Sequence, residues 1–502
     1  MTQPQAPTAP TASAADPAAS REPARIPYLG LSGLMLGLVL GALDGTVVGT
    51  ALPTVAGELG GLDRLSWVVT AYLLTAAVAT PLWGKCGDLY GRKGAYVSAV
   101  VVFLAGSVLS GLAATMDQLI AFRALQGIGA GGLMVGAFAL IGTLVSPRDS
   151  PRIQAITGAM LPVAFAGGPL LGGFLTDHYS WRWAFYVNLP VGLAALLLVS
   201  LALRVRTQRV RARIDWAGAL LLTTGILALT LLASWAGTSY AWTSPRILAL
   251  GAVATAALAA LVPVERRAEE PVLPPRLFAG RNFTAAQVLS FLVGAGMLAA
   301  MNYLPQYLQF VRGQSSTASG LLLLPMMLAM VAVQVTTGRI IGRTGRYRIY
   351  PILGGALMTV GALALLLLRV DTPTAVASAL TVLVGAGMGF LMQSTVLITM
   401  YSAPPRDMGA ASGTVTLVRT IGGSLGVAVL GAVFTARLGG ADPNLTPEQA
   451  HALPGPARDA FRAAVTHGLH GVAAGVAVLA ALAFVVAWSV REIPLDRATE
   501  RP

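Results

Sequence analysis

Apolar residues fill this chain in long runs separated by short polar joints. A membrane-spanning helix needs about 20 consecutive, mostly apolar residues. Fourteen stretches meet that length: 27–52, 65–84, 94–114, 118–144, 153–176, 183–203, 214–235, 246–264, 283–305, 316–340, 349–369, 373–399, 408–435 and 467–489. Trp235, Trp242 and Pro245 crowd the joint between the seventh and eighth and blur their ends. Residues 1–25 are rich in Ala, Pro and Thr without an apolar core and read as a disordered cytoplasmic tail. They lack the apolar centre of a signal peptide, so no cleavage is expected. The pattern predicts an all-α membrane protein. Its expected parts are an N-terminal six-helix bundle (26–205), two inserted helices with linkers (206–275), a C-terminal six-helix bundle (276–490) and a second cytoplasmic tail (491–502).

Composition agrees with the pattern. The 502 residues are 55% hydrophobic and 11% charged, against roughly 25% charged in soluble proteins. The net charge of +13 does not imply nucleic acid, because the basic residues are scattered over short loops. With both termini inside, 24 of the 34 basic residues fall in inner loops and tails and 8 in outer loops, with Arg123 and Arg419 inside helices. That bias predicts an even number of spans with both ends cytoplasmic; twelve spans would satisfy it as well as fourteen. A single cysteine, Cys86, excludes a disulfide framework and a multi-cysteine metal site. Arg outnumbers Lys 32 to 2, and Ala and Gly abound, the signature of a GC-rich bacterial genome; a bacterial inner membrane is the expected location. No phosphate-binding G-x-x-x-x-G-K-[ST] loop, nucleophile elbow or H-E-x-x-H pattern occurs. ATP, a cofactor and enzymatic chemistry are not expected.

The chain repeats itself. GKCGDLYGRK (84–93) reappears as GRIIGRTGRY (338–347), so Gly84, Lys85, Gly91 and Arg92 align with Gly338, Arg339, Gly345 and Arg346 at an offset of 254. The same offset carries Gly168 and Gly172 onto Gly422 and Gly426. A PRD triplet recurs at 147–149 and 405–407. The paired copies fall at equivalent points in the helix order. Two parallel halves are therefore expected, an arrangement that places a substrate site at their interface.

Four segments carry chemistry. Of 21 acidic residues, Asp44 alone lies deep in an apolar stretch, LMLGLVLGALDGTVVGTALP. A carboxylate in hydrocarbon is costly and marks a pathway or a partner, although a structural carboxylate pinned by a hydrogen bond is the alternative. Gly33, Gly37, Gly41, Gly45 and Gly49 recur every fourth residue beside it, a stripe that lets another helix approach closely. Arg123, about six residues into the fourth span, is roughly 9 Å deep, and Asp44, nine residues before Pro53, roughly 13 Å deep at 1.5 Å per residue. The depths suit an ion pair; otherwise Arg123 snorkels to the interface. The GKCGDLYGRKG turn predicts a gating latch on the inner side, with Gly84, Gly87 and Gly91 for tight turning, Lys85, Arg92 and Lys93 as cations, and Asp88 placed to meet a helix N-terminus. In the fifth span Gly167, Gly168, Pro169, Gly172 and Gly173 combine a bend with close contact. A formal G-x-G-x-x-G at Gly127, Gly129 and Gly132 has no preceding strand and is helix packing. Arg419, near the middle of the thirteenth span, has no acid in its own helix. It faces a cavity, binds carbonyls or meets an anionic group of a substrate. Tyr72, Gln154, Asn302, Gln306, Gln309, Gln334 and Gln393 are polar groups within spans that line a cavity or bond between helices. The four histidines fall at outer loops or helix ends and are expected in solvent.

Together these motifs resemble the major facilitator superfamily, and within it the fourteen-helix drug:proton antiporters of the EmrB/QacA type. The resemblance spans nearly all of 27–490, including NYLPQYLQFVRGQSSTASGLLLLP (302–325). It implies two six-helix bundles related by a pseudo-twofold axis, with two extra helices between them. By resemblance Asp44 and Arg123 match positions linked to proton coupling, and Gly84, Asp88, Gly91, Arg92 and Lys93 match the conformational latch. Gly168, Pro169, Gly172 and Gly173 match the antiporter motif, with Ala164 where a glycine is usual. Some relatives carry further intramembrane acids tied to cationic substrates; here Asp44 stands alone, which leaves neutral or zwitterionic lipophilic drugs open. The expectation is a proton-driven multidrug exporter, monomeric, whose partners are lipophilic drugs, protons and the lipid bilayer, with Tyr72, Asn302, Gln306, Gln393 and Arg419 as cavity residues and no metal. The rivals are a proton-coupled importer, a dedicated metabolite or antibiotic exporter, and a lipid-handling membrane protein without proton coupling.

Overall fold

A computed structural model describes residues 28–59, 65–145, 149–203, 215–236, 240–314, 316–438 and 447–492. The two tails and residues 204–214 lie outside these residues, as do the side chains of Gln154 and Pro169. Long helices follow one another without a strand among the described residues. They are α1 (Tyr28–Leu59), α2 (Leu65–Tyr90), α3 (Arg92–Leu112), α4 (Met116–Leu144), α5 (Ser150–His178) and α6 (Trp183–Ala202). Then come α7 (Trp216–Trp235), α8 (Pro245–Arg267), α9 (Arg281–Gln306), α10 (Leu324–Thr344), α11 (Ile349–Ala364), α12 (Thr374–Ser402), α13 (Met408–Ala436) and α14 (Gly455–Ala487). Thirteen are long and apolar enough to cross a membrane among the described residues. The remaining helix, α5, has 29 residues, a length of about 43 Å at 1.5 Å per residue. The fourteen expected stretches all fall on helices.

Several ends differ from the expected stretches by a turn or two, and two departures have readable reasons. α14 starts at Gly455, directly after Pro454, twelve residues ahead of the expected 467. Arg458, Asp459 and Arg462 hide its first turns from a criterion of apolar length. α6 is interrupted at Val187 and restarts at Asn188. Pro190 cannot donate a backbone hydrogen bond and its ring crowds the preceding turn, so the break falls just ahead of it.

The repeat is visible in the backbone. Among the described residues three glycines have positive φ, and two of them, Gly91 (107°) and Gly345 (69°), are the residues the sequence offset pairs. Gly345 caps α10 in the left-handed conformation, its N–H bonding the Ile341 carbonyl at 2.8 Å. Gly168 of α5 lies against Thr46 of α1, and Gly422 of α13 against Phe291 of α9, with no room for a Cβ at either.

Packing separates the ends of the chain. One apolar core gathers α9 to α14, with Tyr307, Met330, Met358, Met388 and Val476 at its centre. A second gathers α1, α3, α4 and α6 and reaches Val396 and Met400 of α12. The inserted α7 and α8 pair with each other and share a small core with Ala77 of α2 and Leu417 of α13.

Candidate functional site

Asp44 is fully buried in α1, and three helices converge on it. Arg123 of α4 donates from Nη1 to Oδ2 at 2.7 Å. Gln126, one turn along α4, donates from Nε2 to Oδ1 at 2.8 Å and accepts from Arg123 Nη1 at 2.8 Å. Asn188 of α6 donates from Nδ2 to Oδ1 at 2.7 Å and to Ser107 Oγ at 3.0 Å. Ser107 in turn donates to the Phe185 carbonyl at 2.8 Å. The Arg123 guanidinium stacks 4.0 Å above the Tyr72 ring. Tyr72, expected as a cavity residue, is thus part of this charged cluster, and its hydroxyl donates to the Gly41 carbonyl at 3.2 Å.

Two charged and two amide side chains, all at 1% exposure or less, form one closed network. Charge pairing and the extra donors offset the desolvation that an isolated buried ion would carry. The expected ion pair is there in the geometry; Arg123 does not snorkel. Gln126 and Asn188 were not singled out from the sequence. Gln126 had a signal, since it stands three residues from Arg123 on one helix face. Asn188 had only its polarity in an apolar run beside a proline. Its Oδ1 is buried without a hydrogen-bond partner.

The motif at 84–93 forms a second site at the other end of the first bundle. Asp88 accepts from the backbone N–H groups of Gly409 (3.0 Å) and Ala410 (2.9 Å) at the start of α13. A carboxylate is favoured there by the unpaired amides and the helix dipole. Arg92 bonds Asp88 Oδ1 (2.8 Å) and reaches the Pro405 carbonyl. Gly84 and Gly409 touch backbone to backbone, and a Cβ on either would fall within 2.5 Å of the other's carbonyl oxygen. The first and last thirds of the chain are therefore fastened together here. Lys93 turns elsewhere and donates to the Ser200 and Leu203 carbonyls at the end of α6.

Lys85 has a role the spacing could not announce. It is 3% exposed and pairs at 2.6 Å with Glu270, in the connector after α8. Further along that connector Arg276 makes a two-pronged contact (2.8 and 3.2 Å) with Asp407, next to the start of α13. Glu265, 3% exposed in α8, accepts from the Leu273 N–H through both oxygens at 3.2 Å.

The other expected cavity residues scatter. Asn302 is exposed and bonds its own helix at Leu298, Gln306 is half-buried, and Gln393 is buried in α12. Arg419 donates to Thr395 Oγ1 at 3.2 Å. His178, His451 and His467 are exposed, whereas His470 contacts the Leu368 carbonyl at 2.7 Å. No metal-binding cluster occurs among the described residues.

Comparisons with known proteins agree with this architecture. The family model described as Major Facilitator Superfamily matches residues 34–427. An uncharacterised MFS-type transporter of Mycobacterium tuberculosis is 42% identical over 89% of this chain, which spans 66% of that relative's length. The multidrug transporter protein MdtP of Bacillus subtilis is 37% identical over 82% of this chain and 75% of its own. Among solved structures, the human organic anion transporter MFSD10 superposes with a TM-score of 0.62 at 16% identity, covering 90% of this chain and 99% of that one; this likeness speaks to fold alone. A multi-pass membrane protein of a transporter family follows from family and architecture together. The chain belongs to the Major Facilitator Superfamily.

Proposed function

We propose that this protein is a proton-driven exporter of lipophilic compounds in a bacterial inner membrane, exchanging inward-moving protons for outward-moving drug. Multidrug transporters among its relatives support export of small molecules. The observation that carries proton coupling is the Asp44 carboxylate, buried in a bundle and held by Arg123, Gln126 and Asn188. Three donors match the ionised form. A proton on Asp44 removes the charge that Arg123 neutralises and turns one acceptor oxygen into a donor, so the network rearranges when it loads. A helix bundle with two alternative packings can convert that local change into a change of access.

In this reading the latch at Asp88, Arg92 and Gly409 shuts the cytoplasmic end, both termini lie inside, and the two bundles rock about a site between them. Protonation from outside releases the drug, and deprotonation to the cytoplasm resets the pump. Asp44→Asn keeps the shape and an amide's hydrogen bonds but cannot ionise. In proteoliposomes with an imposed pH gradient, it is expected to lose gradient-driven dye extrusion by at least a hundredfold while staying folded. Extrusion at the full rate by a well-folded Asn variant would falsify the role of Asp44. Extrusion that persists with voltage and pH difference both collapsed would sink proton coupling itself.

A further inference from the structure

The second arginine within a span has no counter-charge. Arg419 stands eleven residues into α13, about 16 Å from the latch end at 1.5 Å per residue. That is the middle of a hydrocarbon core roughly 30 Å thick, too far in for the side chain to snorkel to either surface. Among the described residues no carboxylate pairs with it. Its guanidinium bonds the Thr395 hydroxyl, and its Nε is buried with no acceptor at all. A guanidinium has five N–H donors, so most of its capacity is unspent.

Its direction follows from its neighbours on the helix. Ser412, two turns earlier on the same face, donates to the Val135 carbonyl of α4 at 3.2 Å, in the other bundle. Residues 412, 416 and 419 form one stripe at helical spacing, so Arg419 leaves α13 on the face that meets the other bundle, with its stem against Gly294 of α9 and its guanidinium at Thr395 of α12. Leu417 and Ile421 face the inserted helices instead, and Gly422 and Gly426 face α9. Arg419 is half-buried rather than sealed, so a ligand between the bundles can reach it.

We infer that Arg419 is the anion-recognising contact of the transported compound. The cargo is then an amphiphile with an apolar body and one carboxylate, the planar oxyanion matching the guanidinium fork. A phospholipid headgroup has the same chemistry but sits at the interface, half a bilayer away. The inference names the substrate class of the exporter reading and rests on it.

A matched dye pair tests it: rhodamine B, which carries a free carboxylate, and its ethyl ester. Binding is measured by fluorescence polarisation on the full chain in discs of zwitterionic lipid. The unaltered protein is expected to hold the acid at least tenfold tighter than the ester. Arg419→Gln should erase that preference without weakening the ester, and Arg419→Lys should keep part of it. Decanoate, but not decanol, should displace the bound acid from the unaltered chain, a measurement that needs no variant. Equal affinities, no binding of either dye, or a preference that survives Arg419→Gln overturns the inference. Doping the discs with phosphatidylglycerol should leave the affinity unchanged; displacement by it assigns the site to lipid and overturns the cargo reading. Arg419-dependent binding of an acid that no proton gradient can move leaves this site standing and removes the exporter reading.

Discussion

Arg123 and Arg419 both lie inside apolar helices, one in each bundle, the first buried and the second half-buried, yet they are solvated by the protein in opposite ways. Arg123 spends its donors on Asp44, Gln126 and the Val68 carbonyl and lays its plane on Tyr72. Arg419 has Thr395 and a stranded Nε. The first is a closed circuit in which each charge stabilises the other. The second is open and gains only when something arrives. A buried charge is therefore informative mainly through what answers it, and the sequence gives the charge without the answer.

The largest effect expected from this contrast comes from removing one member of the closed pair. Arg123→Gln leaves Asp44 without its counter-ion, which at a buried pair costs about 3–5 kcal/mol. A steep fall in melting temperature in detergent is expected. The double variant Asp44→Asn with Arg123→Gln should recover much of that loss, because it leaves no unpaired charge. A double variant no more stable than Arg123→Gln alone would mean the pair is not a unit. Next comes Asn188→Ala, which takes one donor from Asp44 and one from Ser107; about 1–3 kcal/mol is expected for a buried group left unsatisfied, read by the same melts. Arg419→Gln should differ in sign, with a melting temperature equal to or above that of the unaltered protein in the absence of cargo. A loss as deep as that of Arg123→Gln would end the comparison.

The smallest effect is expected at the exposed end. Glu58, after the apolar part of α1, accepts from Arg182 Nη1 (2.6 Å) and Trp181 Nε1 (2.7 Å). The Arg182 hydrogen bond, with help from Trp181, holds its carboxyl below the usual range. A depressed carboxylate stabilises the fold above its ordinary titration range and loses that contribution as pH falls through the folded value. The melting difference between the unaltered protein and Glu58→Gln should thus be small at neutral pH and vanish on acidification. A difference that grows at low pH would contradict the assignment.

Much of the architecture was legible because a bilayer enforces a length and a hydropathy that any spanning helix must meet. The repeat was legible because Gly91 and Gly345 need a conformation other residues avoid. Asp44, Arg123 and the latch motif stood out as charges where charge is costly. What the sequence concealed is companionship. Gln126 and Asn188 are ordinary amides until α4 and α6 bring them to Asp44, and the partners of Lys85 and Arg276 lie 185 and 131 residues away. The start of α14 was hidden by its own polar first turns.

The segment after α8 has a mechanical consequence. Glu270 grips Lys85 on α2, and six residues later Arg276 grips Asp407 beside α13. These anchors belong to opposite sides of the Gly84–Gly409 seam. Parting that seam must either snap one clasp or drag the tether and its two helices along, so the slack in six residues sets the stroke over which the seam can open with both clasps intact.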